Sequence, residues 1–329
     1  MTAHRDDLEL DRWVTTGDLD ELLREVDRRC DRGDWTGLVT LRDRARSATE
    51  RGHQLWPAAS FAEYRMALSA PSPWAAAVVA DGGYLAPGPL SEVVAQDHTW
   101  TELAPELSPG PARDLVGQER VLRGELVADR IGELPGRLLS WEPGYALAEY
   151  RPNGEARFPA PAILTTGAVT GGMAGRVVHQ DPDAADGARA LEDVVRHWAS
   201  RSNGRVRGIG VEGTAADAVA SLRDGPVRWT RVPLADAVAR LAWAAASGGA
   251  RGRRRGAATG RFEAWWALAV LTALDDDWPV DPGPAAEDLR WWIWSPDEPD
   301  VGWSCRVAVE DPDDGLAWAI DASDRDPST

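Results

Sequence analysis

The sequence predicts an α+β protein, with a helical N-terminal half and a C-terminal α/β layer closed by an antiparallel, tryptophan-rich meander. Three observations carry this expectation. From Asp18 to about Arg130, apolar residues recur at helical spacing. From Gly187 onward, strand-like and helical runs alternate. After Asp275-Asp276-Asp277 and a proline-rich linker come three strand-like segments, the last two joined by the turn Asp311-Pro312-Asp313-Asp314-Gly315.

In the N-terminal half, Leu19, Leu22, Leu23, Val26 and Cys30 share one helical face. Gly33-Asp34 then punctuates the chain, and a second stripe runs through Trp35, Leu38, Val39, Arg42 and Ala45. A third helix is expected from Ala58 to Leu68, with Pro71 and Pro73 closing it. Shorter helical pieces follow at 89–95 and 99–107, then a longer one at 112–129. Short helices joined by Gly/Pro turns are the pattern of HEAT or tetratricopeptide solenoids. No clean fixed-period repeat accompanies them, so an irregular helical domain fits equally well.

The texture changes at Gly132, and the domain boundary is expected between Gly132 and Trp141, giving domains 1–135 and 136–329. Tyr145 to Tyr150 alternates as a strand, Arg151-Pro152-Asn153-Gly154 is a turn, and Glu155 to Phe158 returns as its hairpin partner. Further on, Leu191, Val194, Val195 and Trp198 mark a helix, and 205–211 a strand. Ala215, Ala218, Val219 and Leu222 mark the next helix, 227–232 a strand, and Leu234, Val238, Leu241 and Ala245 another helix. The meander is expected at 289–294, 303–309 and 316–320. It holds six of the 17 tryptophans, counting Trp278 just before it, and predicts a sheet with one strongly aromatic face.

Composition bounds the function. A charged fraction of 27% beside 43% hydrophobic residues is that of a folded globular chain. The formal net charge of −17 argues against general nucleic-acid or membrane-surface binding, which needs a cationic face. All 36 basic residues are arginine. This most simply reflects GC-rich coding, and it excludes a lysine Schiff base and a Walker-type phosphate loop. Cys30 and Cys305 match no metal spacing and read as free thiols. The acidic start, MTAHRDDLELDR, lacks the apolar core of a signal peptide. The longest apolar run, 264–274, is too short for a membrane span, so a cytoplasmic protein is expected.

One stretch departs from this background. A helix ending near Ser247 meets Gly248 and Gly249; Arg251, Arg253, Arg254 and Arg255 follow, with Gly252 and Gly256 among them; then comes a helix from Phe262 to Leu274 that is apolar nearly all round. Such a helix belongs in a core. Clustered cations at its N-terminal end, where the helix dipole is already positive, require neutralisation. One reading is an anion site, in which Gly249 and Gly252 let the backbone approach a phosphate or carboxylate gripped by Arg251, Arg253, Arg254 and Arg255. The other pairs these arginines with the protein's own acids, 53 in number.

Other motifs are weaker. Gly208-Ile209-Gly210-Val211-Glu212-Gly213 fits the dinucleotide fingerprint formally, but the run before it, Arg205-Val206-Arg207, is not a central apolar strand. A plain strand followed by a helix capped by Thr214 accounts for the same residues. Thr165 to Gly175 has the small residues of a phosphate cradle and no partner motif. Asp181, Asp183, Asp186 and Glu192 resemble a calcium loop with its glycine misplaced, and are read as a helix entry. No HExxH, GxSxG or metal-ligand spacing occurs among the five histidines, so neither a metal nor a cofactor is expected.

The segment Gly252 to Trp266, GRRRGAATGRFEAWW, together with the tryptophan-rich close from Trp291 to Trp318, resembles uncharacterised proteins of high-GC actinobacteria that share a domain of unknown function. The resemblance implies no activity. The leading functional expectation is a binding or scaffold protein for a protein partner or small anionic ligand. The alternative is an enzyme acting on a phosphorylated or nucleotide substrate, with His179 or Asp181 in proton transfer.

Overall fold

The computed structural model describes residues 2–81, 87–161, 175–297 and 302–325. Contacts divide the chain into two units, Met1–Gly132 with Ala148–Phe158, and Glu133–Leu147 with Pro159–Thr329. Relative to a cut at 135/136, the hairpin around Tyr150 belongs with the helices.

The first unit is helical: α1 (Thr2–Thr16), α2 (Leu19–Arg32), α3 (Trp35–Glu50), α4 (Trp56–Ser69), α5 (Ser72–Asp81), α6 (Leu90–Asp97), α7 (Trp100–Leu103) and α8 (Pro111–Leu122). Local chemistry sets the boundaries. Asp18 caps α2 by accepting from the Glu21 N–H, and Gly33 ends that helix in the left-handed region; Asp34 then caps α3 by accepting from the Gly37 N–H. Every residue of α4 from Ala58 to Leu68 except Phe61 is buried, because α2, α3, α5 and α6 all pack against it. All four lie within two positions of α4 in the helix order, a nearest-neighbour pattern that a solenoid and an irregular helical domain share. The buried charges on α4 are paired, Glu63 with Arg46 at 2.6 Å and Arg65 with Asp27.

Two local expectations are corrected in this unit. Pro71 ends α4, but Pro73 lies in the first turn of α5, where proline's missing N–H costs nothing. The helix expected to reach residue 129 stops at Leu122. The acidic N-terminal stretch is helical as well, forming α1. The hairpin forms as a two-residue ladder, Glu149 opposite Arg157 and Tyr150 opposite Ala156. It is held by Tyr150, whose N–H donates to Gln96 Oε1 at 2.6 Å and whose hydroxyl donates to Glu92 at 2.7 Å.

The second unit is built on a five-stranded antiparallel sheet: β1 (Arg205–Glu212), β2 (Val227–Val232), β3 (Arg290–Pro296), β4 (Trp303–Asp311) and β5 (Leu316–Asp324), in the order β1-β5-β4-β3-β2. Its helices are α9 (Ala185–Arg201), α10 (Ala215–Leu222), α11 (Leu234–Ala246), α12 (Ala257–Leu271) and α13 (Gly283–Asp288). The two-residue period of the strands sends Trp291, Ile293, Val307, Trp318 and Ile320 to the core shared with α9, α11 and α12. Trp294, Ala308, Ala317 and Ala319 go to the opposite core under α10.

The expectation of one aromatic face is therefore corrected. The tryptophans are divided between both faces, and Trp291, Trp294 and Trp318 are buried. Trp303 stacks on Trp243 of α11 with ring centroids 5.0 Å apart.

The fingerprint-like glycines have a packing role. Gly208 and Gly210 lie in an edge strand antiparallel to its neighbour. A Cβ there would sit 2.8 Å from the Ala188 carbonyl oxygen and 2.3 Å from that of Ala184, so these glycines let α9 lie close on the sheet. Thr214 and Asp217 form a reciprocal capping box at the start of α10.

Candidate functional site

The arginine turn is fixed from below by backbone hydrogen bonds. Helix α11 ends at Ser247, whose hydroxyl accepts from Trp198 Nε1–H at 3.1 Å and from the Gly249 N–H at 3.3 Å, while donating to the Ala244 carbonyl. Gly249 adopts φ +73°, and a Cβ on it would stand 2.3 Å from Asp324 Oδ2. That position accepts only glycine without strain. Asp324 is buried at the end of β5 and accepts from the Ala250 N–H at 2.6 Å. The Arg251 N–H donates to Ser202 Oγ at 3.0 Å, and the Arg255 N–H to the Ala246 carbonyl at 2.7 Å. Gly248 and Gly252 touch through their backbones, since a Cβ on either would lie within 2.3 Å of the other residue.

Helix α12 starts at Ala257, earlier than the apolar pattern indicates, so the turn leads directly into its first residue. Gly260 lets α12 approach α11, for a Cβ there would meet the Ala242 carbonyl oxygen at 2.2 Å. Its Arg261 is fully buried and forks onto Glu142, with Nη2 2.6 Å and Nε 2.7 Å from the two carboxylate oxygens. Trp265 Nε1–H and the Tyr145 hydroxyl also donate to Glu142, which satisfies the buried charge. The Tyr145 hydroxyl is pushed well above its ordinary pKa by burial and by the Glu142 charge.

The turn forms one wall of an open cleft of about 800 Å³, with α9 and the first turns of α12 supplying the rest. Arg251, Gly252, Arg253 and Arg255 line it with Gly248; Asp193, Arg196, His197, Ser200 and Arg201 come from α9, and Glu263 from α12. Two of the expected anion-site residues are placed otherwise. Gly249 is buried beneath the turn, and Arg254 is half-buried and not among the described lining residues.

Five arginines face two carboxylates here, and both carboxylates are engaged. Asp193 pairs with Arg196, and Glu263 with Arg255 at 2.6 Å. Arg201 and Arg253 are exposed and have no acidic partner among the described residues.

His197 is locked in one tautomer. Its Nε2–H donates to the Ser247 carbonyl, and its Nδ1 accepts from Arg255 Nη1 at 3.2 Å. Burial and the Arg255 charge pull its pKa down to about 4, against the opposing pull of the Ser247 carbonyl. The ring is neutral at pH 7 and both nitrogens are occupied. It therefore orients Arg255 and is not poised as a general base.

The other sequence candidates lie elsewhere. His179 is exposed on the segment leading to α9, and the adjoining Val178 packs in the α10 core. The Asp181 N–H donates to the Gly210 carbonyl, and its carboxylate accepts from the Asp183 N–H. Glu192 accepts from the Gly208 N–H at 2.6 Å and does not join the aspartates. The loop 165–174 lies outside the described residues. The α9 contribution was missed by sequence reasoning. Its signal was the polar stripe Asp193, Arg196, His197, Ser200 and Arg201 opposite Leu191, Val194, Val195 and Trp198, at helical spacing.

Fold and cleft together define an α+β protein carrying an arginine-lined cleft on its C-terminal unit. A family of unknown function, DUF6183, matches residues 20–326, and the chain belongs to it. No curated protein and no solved structure matches the chain.

Proposed function

We propose that this is a binding protein whose C-terminal unit holds a small phosphorylated ligand on the arginine turn. The observation that carries the reading is the convergence of turn and α9 cations on one cleft, with Arg201 and Arg253 exposed and lacking acidic partners among the described residues. Guanidinium groups grip phosphate oxygens in pairs, and a backbone fixed before binding lowers the ordering cost. Binding is favoured over catalysis because His197, the one imidazole in the described cleft lining, has both nitrogens engaged. Nucleic acid is a poor fit to a chain of net charge −17.

The two units serve as separate domains in this reading, the helical one offering surface to a protein partner. Cys30 and Cys305 are free, and burial pushes both thiols up to about 11, so neither is an activated nucleophile; a cytoplasmic setting is part of this reading. Among the described residues no helix is long and apolar enough to cross a membrane.

A thermal-shift titration with inorganic phosphate, sulfate and pyrophosphate tests the reading. A ligand at about 100 times its Kd stabilises the native state by about 2.7 kcal/mol. A rise in Tm with the parent that is lost in Arg253→Ala supports it; no rise with any anion overturns it.

A further inference from the structure

Apart from its arginines, the cleft is lined by Asp193, His197, Ser200, Glu263, Gly248 and Gly252. No Phe, Tyr, Trp or aliphatic side chain stands among the described lining residues. A nucleotide gains much of its affinity by laying its base on an aromatic or apolar surface. The single ring here, His197, has Trp198 edge-on to it, 6.4 Å away at 84°, and both of its nitrogens are engaged.

What the cleft offers beyond charge is chemistry for hydroxyl groups. Ser200 donates and accepts, and the Asp193 and Glu263 carboxylates accept. Each carboxylate is already paired with an arginine, so it accepts a hydrogen bond from a hydroxyl without setting a bare negative charge against a phosphate. Asp193 and Ser200 lie seven residues apart on α9, roughly 10 Å along the axis. The Arg251 N–H donates to Ser202 Oγ just beyond the C-terminal end of α9, and Arg255 reaches His197 one helical turn from Asp193, so the turn runs alongside the polar stripe of α9.

We infer that the ligand class of this cleft is a phosphorylated polyol, a sugar phosphate rather than a nucleotide, with its phosphate on the arginine turn and its hydroxyls along α9. The inference rests on the anion-binding reading of the same cleft.

Calorimetric titration with charge-matched probes separates the two claims. The probes are methyl phosphate, glucose 6-phosphate, ribose 5-phosphate, myo-inositol 1-phosphate and AMP. At least one of the three polyol phosphates is expected to bind tenfold or more tighter than methyl phosphate, and tighter than AMP. Ser200→Ala should weaken that polyol phosphate about fivefold, the usual effect of one lost hydrogen bond, and leave methyl phosphate within twofold. If no polyol phosphate exceeds methyl phosphate, or if AMP binds tightest, the polyol assignment is overturned while the anion site stands. If no probe binds at all, both fall.

Discussion

His197 Nδ1 and Arg255 Nη1 stand 3.2 Å apart, and the imidazole is the acceptor in that contact, because its other nitrogen donates to the Ser247 carbonyl. A single side chain thus joins the end of α11 to the arginine turn. Protonating the ring would break its bond to Arg255 and set two cations against each other.

This gives a pH dependence of stability. Unfolded, His197 titrates near 6.5; folded, burial and Arg255 hold it at about 4. The unfolded chain therefore binds the extra proton first as pH falls. The stabilisation is full above about 6.5 and is lost progressively as pH drops toward 4. Urea midpoints measured at pH 7, 5.5 and 4.5 should fall more steeply for the parent than for His197→Gln. Parallel slopes would show that the histidine is not held neutral.

Gly249 is the position where the turn tolerates least change. With φ at +73° and Asp324 Oδ2 only 2.3 Å from where a Cβ would stand, Gly249→Ala is expected to cost about 1–3 kcal/mol or more. Gly52→Ala serves as the control, because φ there is +97° with nothing within 4 Å, so only backbone strain applies. Denaturant unfolding of both variants checks this. Equal losses would mean that Asp324 does not confine the turn.

The Arg261–Glu142 pair, at 0% exposure for both side chains, is the buried electrostatic anchor of α12. Removing one partner, as in Glu142→Leu, strands a buried guanidinium and should cost about 3–5 kcal/mol. The double variant Glu142→Leu, Arg261→Met should lose less than Glu142→Leu alone. Denaturant unfolding of the single and double variants measures the coupling, and simple additivity would contradict it.

Much of the fold was legible in the sequence because its elements are locally encoded. Asp18, Gly33 and Asp34 mark helix ends by their own hydrogen bonds and backbone preference. The β4–β5 turn announces itself in Asp311 and Gly315, and Asp311 accepts from the N–H groups of both Asp313 and Asp314. What stayed hidden depends on distant residues. The tryptophans of β3 alternate between faces, but only the helices on each side decide that both faces are cores.

The arginine turn stood out by composition, whereas its partners did not. Arg196, His197 and Arg201 read as the ordinary polar side of an amphipathic helix until α9 is laid beside residues some 50 positions away. Asp324, which accepts from the Ala250 N–H, lies still further along the chain. The anion-site pattern also named Arg254 and Gly249, because sequence adjacency does not tell lining residues from those beneath a turn.

The arginine cleft is tested most directly by the binding of pyrophosphate to the Arg201→Ala, Arg253→Ala double variant, measured by calorimetric titration beside the parent. Both side chains are exposed and have no acidic partner among the described residues, so the substitutions should change stability by no more than about 0.5 kcal/mol each. The expected result is a Kd at least tenfold weaker in the variant, with an unchanged melting temperature in the absence of ligand. Equal affinity in the two proteins, or no binding to the parent, would contradict an anion site on this turn.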